Sequence, residues 1–196
     1  MDDSGPSAIS PGSEIIDPEV SCVQEAWPAA LPDPAGCRSR HSGACQSTAR
    51  RVAVTAYLLD INLLLALTDP MHVHHEASHQ WFAEKGRQAW ATCPLTENGF
   101  IRIASHPKYP NRPGDVPAVC LILRQLCETP GHHFWEEDLS ILEILEPDAI
   151  ISHAQITDVY LLGLAERRDG KLATLDQRIP VDAIRGGHRA LELIIT

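Results

Sequence analysis

The sequence lacks several features that identify common classes of protein. No apolar run approaches the roughly 20 residues that a helix needs to cross a bilayer. The first residues also lack the basic start and apolar stretch of a secretory signal, so we expect a cytoplasmic protein without a membrane segment. The six cysteines include no CxxC pair, so the spacing typical of structural zinc sites is absent. Since a cytoplasmic chain is kept reduced, buried free thiols are favoured over disulfides.

Positive charge is also scarce. The chain has 16 Lys and Arg against 26 Asp and Glu, which gives a formal net charge of −10. This balance argues against broad electrostatic binding to nucleic acid, because phosphates would be repelled. It leaves open an enzyme whose acidic site reaches phosphate through divalent metal ions, with any RNA contact confined to a local region.

The composition changes near residue 52. Residues 1–51 contain six of the fifteen prolines, with Gly, Ser and Ala between them and no sustained hydrophobic period. This composition favours a disordered N-terminal extension, and a misassigned start site would look the same. We expect residues 52–196 to form one domain, which is long enough to bury a sizeable hydrophobic core.

Short apolar runs alternate with helical patterns in this second region. Strands are predicted at 52–59, 89–93, 132–135, 149–152, 171–175 and 191–195. Helices are predicted at 61–67, 72–85, 94–104, 116–127 and 139–145, and a last one begins at 156 and ends near 169–170. The alternation predicts parallel β-α units, and therefore an α/β fold with helices on both faces of an open sheet. In such sheets ligands bind at the carboxyl ends of the strands.

Four carboxylates fall at this predicted edge of the sheet. Asp60 and Asp176 directly follow apolar strands. Glu97 lies four residues after the second strand, and Asp158 lies at the start of the last predicted helix. Converging carboxylates repel one another, which raises pKa values and favours hard divalent cations such as Mg²⁺ and Mn²⁺. Taken singly, the first two could begin turns and the other two could be first-turn charges matched to helix dipoles.

Four segments around these residues resemble the acidic motifs of PIN-domain ribonucleases. In chain order they are LLDINLLLAL (58–67), LTENGFIRI (95–103), ITDVYLLGLA (156–165) and LATLDQ (172–177). The chain is most similar to VapC toxins of type II toxin–antitoxin systems. HVHHEASHQWF (72–82) and HPKYPN (106–111) also resemble one VapC subfamily. The resemblance covers about residues 54–196.

The resemblance implies a PIN-like three-layer α/β/α fold with a central parallel sheet, and Mg²⁺- or Mn²⁺-dependent endonucleolytic cleavage of RNA. The metal ligands and catalytic residues that it implies are Asp60, Glu97, Asp158 and Asp176. Asn62 and Thr174 match polar positions that could orient a ligand carboxylate or a water. Arg102 matches a basic position that could contact an RNA phosphate, although a surface salt bridge is an equal alternative. The expected partners are RNA, a cognate VapB-like antitoxin and a second copy of the chain in a homodimer.

Other interpretations remain open. His75 and His79 have the i, i+4 spacing of two zinc ligands, but no third ligand is evident, so a solvated or partner-facing helix end is favoured. A phosphatase of the haloacid dehalogenase kind needs a second aspartate where this chain has Asn62, and an amide cannot donate the required proton. A housekeeping RNA-processing nuclease and a non-catalytic PIN module are further alternatives.

Apolar residues of the first two predicted helices have two possible functions. They could anchor an amphipathic antitoxin helix beside the acidic site, or they could all belong to the hydrophobic core. These residues are Leu63, Leu64, Leu67, Trp81 and Phe82.

Overall fold

A five-stranded parallel sheet lies at the centre of the protein. A computed structural model describes residues 54–195, and the predicted extension, residues 1–51, lies outside the described residues. The strands are β1 (Tyr57–Leu59), β2 (Trp90–Thr92), β3 (His132–Phe134), β4 (Lys171–Thr174) and β5 (Leu191–Leu193). Their order in the sheet is β3-β2-β1-β4-β5, and every neighbouring pair is parallel. The predicted α/β fold with a parallel sheet is therefore confirmed.

Helices cover both faces of the sheet. In the described part of the chain they are α1 (Ile61–Thr68), α2 (His75–Glu84), α3 (Pro94–Ala104), α4 (Val116–Cys127), α5 (Ile141–Ile144), α6 (Ile156–Arg167) and α7 (Gly187–Ala190). Helices α1 to α4 pack against one another, whereas α5 and α7 pack against α6. The chain moves outward from β1 to β3 and then returns to β4, so right-handed crossovers place these two groups on opposite faces. None of these helices is long and apolar enough to cross a membrane.

The central strand β1 is covered on both sides, which explains why its sequence is continuously apolar. On one side Tyr57 meets Trp81 of α2 edge to face, with ring centroids 5.2 Å apart. On the other side Leu58 belongs to the hydrophobic cluster that includes Leu161 and Leu164 of α6. Successive side chains of a strand point to opposite faces, so one short strand contributes to two cores.

The two histidines with zinc-like spacing have a structural function. The His75 ring nitrogen Nδ1 lies 2.8 Å from the carbonyl oxygen of Ala66, and His79 Nε2 lies 2.9 Å from that of Leu67. These carbonyls belong to the last turn of α1, where backbone oxygens have no partner within the helix. The rings therefore join α2 to the end of α1, and the expected solvated or partner-facing position is wrong for both.

Two further expectations are corrected. Residues 149–152 form no strand, because the Ala149 amide turns back to the Glu146 carbonyl and the Ile150 side chain is exposed to solvent. The apolar residues proposed as antitoxin anchors are all buried in the core, so they offer no open groove. These residues are Leu63, Leu64, Leu67, Trp81 and Phe82.

Candidate active site

The sheet has a topological switch point beside its central strand. From β1 the chain proceeds to β2 on one side, and it returns to pair β4 with β1 on the other side. The crevice outside the carboxyl ends of β1 and β4 is where open α/β sheets bind ligands. Asp60 follows β1 and Asp176 follows β4, so both predicted strand-end carboxylates lie at this crevice.

Asp60 is a buried carboxylate, with only 4% of its surface exposed. It is the N-cap of α1, where its Oδ1 accepts a 2.6 Å hydrogen bond from the Ile61 amide. Its Oδ2 accepts a 2.8 Å hydrogen bond from the Thr174 hydroxyl. Burial raises the pKa of Asp60, and the charge of Asp176 raises it further, against the opposing effect of these hydrogen bonds. The side chain is thus fixed in position, but its negative charge lacks a positive partner among the contacts that set its pKa.

Asp158, in the first turn of α6, is a third carboxylate, near enough for the charges of Asp60 and Asp176 to act on it. Burial raises the pKa of Asp158 to about 6, and the charges of Asp60 and Asp176 contribute to the increase. The three aspartates therefore interact electrostatically, as the sequence pattern predicted.

Asp176 differs from the other two aspartates because Arg178 neutralises it. The backbone amide of Arg178 donates to Asp176 Oδ1 at 2.8 Å, and the guanidinium donates to both carboxylate oxygens at 3.1 Å. These contacts hold the pKa of Asp176 below its ordinary value. Repulsion was expected to raise the pKa of every carboxylate in the site, and for Asp176 this expectation is wrong. In the sequence, the only indication of this ion pair is that a basic residue, Arg178, lies two positions after Asp176.

Glu97, the fourth predicted ligand, has a different set of neighbours. It lies in the first turn of α3 after β2, and its Oε1 accepts a 2.7 Å hydrogen bond from the buried hydroxyl of Thr92. The same hydroxyl lies 2.8 Å from His132 Nε2. Burial raises the pKa of the Cys127 thiol to about 11, and the charge of Glu97 adds to this effect. Sequence reasoning found Glu97 but missed the three residues around it.

The supporting residues lie around the aspartates. Thr174 is fully buried, and its oxygen also accepts a 3.0 Å hydrogen bond from the Asp176 amide, so it links two of the aspartates. Asn62 is exposed on the first turn of α1, and its backbone amide contributes a hydrogen bond to Asp60. Arg102 is exposed near the end of α3 and lines a cleft of about 370 Å³ together with His106 and Lys108. No ion pair involving Arg102 is formed within residues 54–195.

The donor set of the site suits a hard divalent cation. Asp60, Asp158 and Asp176 offer only carboxylate oxygens, which Mg²⁺ and Mn²⁺ prefer over softer ligands. Two of the three have raised pKa values, which means that their negative charges are not fully compensated by the protein. A bound cation would relieve this repulsion, so these residues fit a divalent metal site.

Comparison with curated proteins identifies relatives that are named VapC ribonucleases. No protein-family model matches the chain. Ribonuclease VapC44 of Mycobacterium tuberculosis is 40% identical over 134 residues, which are 67% of this chain and 94% of the relative. Ribonuclease VapC39 of the same organism is 36% identical over 132 residues, which are 66% of this chain and 94% of the relative.

Two solved structures were also matched. The crystal structure of VapC20 from Mycobacterium tuberculosis, a toxin that cleaves the sarcin–ricin loop, has a TM-score of 0.48 and 9% identity, covering 66% of this chain and 96% of the other. VapBC2 from Rickettsia felis, bound to a DNA fragment of its promoter, has a TM-score of 0.46 and 11% identity, covering 71% of this chain and 98% of the other. From its identity to curated relatives that it covers over nearly their whole length, the chain belongs to the VapC family of PIN-domain ribonucleases.

Proposed function

We propose that this ribonuclease hydrolyses internal phosphodiester bonds of RNA with Mg²⁺ or Mn²⁺ at Asp60, Asp158 and Asp176, and that it acts as the toxin of a toxin–antitoxin pair. The main support is the convergence of three carboxylates at the switch point, where burial and mutual repulsion raise the pKa of Asp158 to about 6. A non-catalytic module has no need to maintain uncompensated buried charge. A metal-dependent nuclease requires it, because the cation supplies the missing positive charge.

The chain's residues have distinct functions in this proposal. Asp60, Asp158 and Asp176 would hold the cation, and Glu97 is the fourth candidate ligand. When bound, Mg²⁺ or Mn²⁺ supplies Lewis acidity toward the phosphodiester and lowers the pKa of a water molecule. Thr174 positions Asp60 and Asp176 through its two hydrogen bonds. Asn62 lies on the exposed side of the same helix start and could orient water or substrate.

RNA would be bound by a small basic surface rather than by the overall charge of the protein, which is −10. Arg102, His106 and Lys108 line one cleft, and all three residues are exposed. Such a cluster can contact backbone phosphates while the remaining acidic surface limits non-specific binding.

The antitoxin would restrain the enzyme through the same carboxylates. Because the apolar residues first considered as anchors are buried, we place the antitoxin contact at the acidic crevice itself. A basic side chain of a VapB-like protein could form charge-assisted hydrogen bonds with Asp60 or Asp158 and compete with the metal ion. Inhibition should then weaken as Mn²⁺ is raised, and Asp60→Asn should bind the antitoxin less tightly than the wild type. Equal binding by both proteins at every Mn²⁺ concentration would contradict this mechanism.

Cleavage of an RNA substrate with and without divalent metal tests the proposed activity. We expect cleavage with Mn²⁺ or Mg²⁺ and none in excess chelator. Single substitutions Asp60→Asn, Asp158→Asn and Asp176→Asn should each reduce the rate by at least about a hundredfold, since electrostatic stabilisation of developing charge is lost. Asp148→Asn is the matched control, because Asp148 is an exposed aspartate outside the site. Full activity of Asp176→Asn would rule out the assignment of that carboxylate.

A further inference from the structure

A second group of metal-ligating side chains lies around Thr92, the last residue of β2. One donor atom each from Glu97, Cys127 and His132 lies within 4.8 Å of the others. The three residues come from different elements, namely the first turn of α3, the end of α4 and the start of β3. All three are half-buried, so a small ion could reach them while most of their surroundings remain protein.

The Thr92 hydroxyl holds two of these side chains in place. It donates a 2.7 Å hydrogen bond to Glu97 Oε1, and it lies 2.8 Å from His132 Nε2. Thr92 is fully buried in β2, which pairs directly with β3 at Trp90↔His132. A rigid sheet therefore supports the arrangement, and hydrogen bonds of this kind orient metal ligands in known sites.

The chemistry of this group differs from that of the three aspartates. A thiolate and an imidazole are softer ligands, which suit zinc and similar transition metals rather than Mg²⁺. A neutral imidazole has a nitrogen lone pair for coordination, and one donor atom of His132 lies within 4.8 Å of those of Glu97 and Cys127. Three protein ligands with a fourth position open to water is an established arrangement for zinc.

We propose that Glu97, Cys127 and His132 form a binding site for Zn²⁺ that is separate from the three-aspartate site. The Cys127 thiol would lose its proton to solvent on binding, so the affinity should increase with pH. The ion would also hold Glu97 away from the aspartates. If Glu97 contributes to the hard-metal site, as the proposed function assumes, Zn²⁺ bound here inhibits cleavage without occupying the three aspartates.

Cobalt binding to the full chain tests the site independently of nuclease activity. We expect Co²⁺ to produce the near-ultraviolet charge-transfer absorption of a thiolate–cobalt bond, and Zn²⁺ to abolish it by competition. Cys127→Ser should remove this absorption, whereas Cys120→Ser, seven residues earlier on α4, should retain it. His132→Gln should weaken binding by at least about tenfold, since loss of outer hydrogen-bond partners alone has effects of that size. His133→Gln is its control on the exposed neighbouring position.

Identical cobalt spectra for the wild type and Cys127→Ser would overturn the proposed site. The regulatory part has a separate test, in which Zn²⁺ is added to Mn²⁺-dependent cleavage by the wild type and by Cys127→Ser. We expect inhibition of the wild type and at least about tenfold weaker inhibition of the variant. Equal inhibition of the two proteins would overturn the regulatory part. If neither protein cleaves RNA with Mn²⁺, the proposed nuclease activity fails, while the cobalt spectra still decide whether the site exists.

Discussion

The Thr174 hydroxyl donates a 2.8 Å hydrogen bond to Asp60, although the two residues are 114 positions apart in the chain. The contact is possible because β4 and β1 are parallel neighbours with Leu59 opposite Ala173, so the residues that follow lie at the same edge. It replaces one of the water contacts that a buried carboxylate loses on folding. The position of the central aspartate in the crevice therefore depends on correct pairing of the first and fourth strands.

Substitution of Thr174 should reduce activity without removing any proposed metal ligand. In Thr174→Val, Asp60 Oδ2 loses its hydrogen bond, and the pKa of Asp60 should rise further above its ordinary value. We expect a loss of about tenfold to a hundredfold in metal affinity or cleavage rate, as for other outer hydrogen-bond partners. Thr174→Ser keeps the hydroxyl and should retain most of the activity. Full activity of Thr174→Val would contradict a positioning function of this hydrogen bond, and equal impairment of the Val and Ser variants would show that the hydroxyl alone does not account for the effect.

Asp158 should make the metal-free protein less stable above about pH 6. Its pKa is about 6 in the folded protein against 3.8 in the unfolded chain, so the folded state binds more protons between these values. The destabilisation is therefore complete above pH 6 and is relieved as the pH falls from 7 toward 4. Asp158→Asn should stabilise the metal-free protein at pH 7 by about 1 kcal/mol, after allowance for the partial exposure of the carboxylate.

Denaturant unfolding of the wild type and Asp158→Asn from pH 7 to pH 4, in chelator, measures this effect. The comparison is needed because His72, His79 and His132 have lowered pKa values and oppose the trend over part of this range. They are present in both proteins, so their contribution cancels in the difference. Saturating Mn²⁺ should reverse the order of stability, since it binds the folded wild type, with a gain of about 2.7 kcal/mol at a hundredfold excess over Kd. A pH-independent difference between the two proteins would contradict the raised pKa.

Arg178 should compete with metal for Asp176. Its guanidinium is largely exposed, with 86% of the side-chain surface accessible, so the ion pair itself adds little stability. In Arg178→Gln the carboxylate is released and a nearby positive charge is removed. We expect Mn²⁺ to bind more tightly by up to about fivefold, since exposed ion pairs are weak. The midpoint of a Mn²⁺ titration followed by thermal unfolding measures this, and Arg167→Gln on α6 is an exposed control. Weaker binding in Arg178→Gln would show that the arginine supports the site.

Removal of the predicted N-terminal extension should leave the nuclease domain intact. We propose that residues 52–196 fold independently, because residues 1–51 are rich in proline and lack hydrophobic periodicity, and the sheet and its covering helices all lie beyond them. A chain that begins at Val52 should unfold with unchanged cooperativity and cleave RNA at the rate of the full chain. A clear decrease in melting temperature on truncation would show that the removed residues stabilise the domain.

The parts of the fold that the sequence predicts well depend on local patterns. Strands β1 and β4 were predicted from apolar runs that are each followed by an aspartate, because strands buried on both faces have a distinctive apolar composition. The same pattern placed these aspartates at the carboxyl ends of the strands. The strand predicted at 149–152 failed because its apolar residues are exposed, and a short run does not reveal whether a neighbouring strand exists.

Contacts between distant segments account for the remaining differences. Thr92, Cys127 and His132 meet around Glu97 only through the pairing of β2 with β3 and the packing of α3 against α4. No spacing in the sequence indicates that these residues are neighbours. The ion pair between Asp176 and Arg178 is local in the sequence. It forms because the backbone after Asp176 turns and brings the Arg178 guanidinium to the carboxylate, and the sequence does not show this turn.

The strand order also determines when the enzyme can become active during its own synthesis. The ribosome releases the chain from its N-terminus, so β1 and Asp60 emerge long before α6 and β4. Until β4 adds to the open edge of β1, neither Asp158 nor Asp176 lies beside Asp60. A nascent chain therefore has no assembled crevice until α6 and β4 have both left the ribosome. The interval between the emergence of β1 and that of β4 is thus a period of synthesis during which the active site does not yet exist.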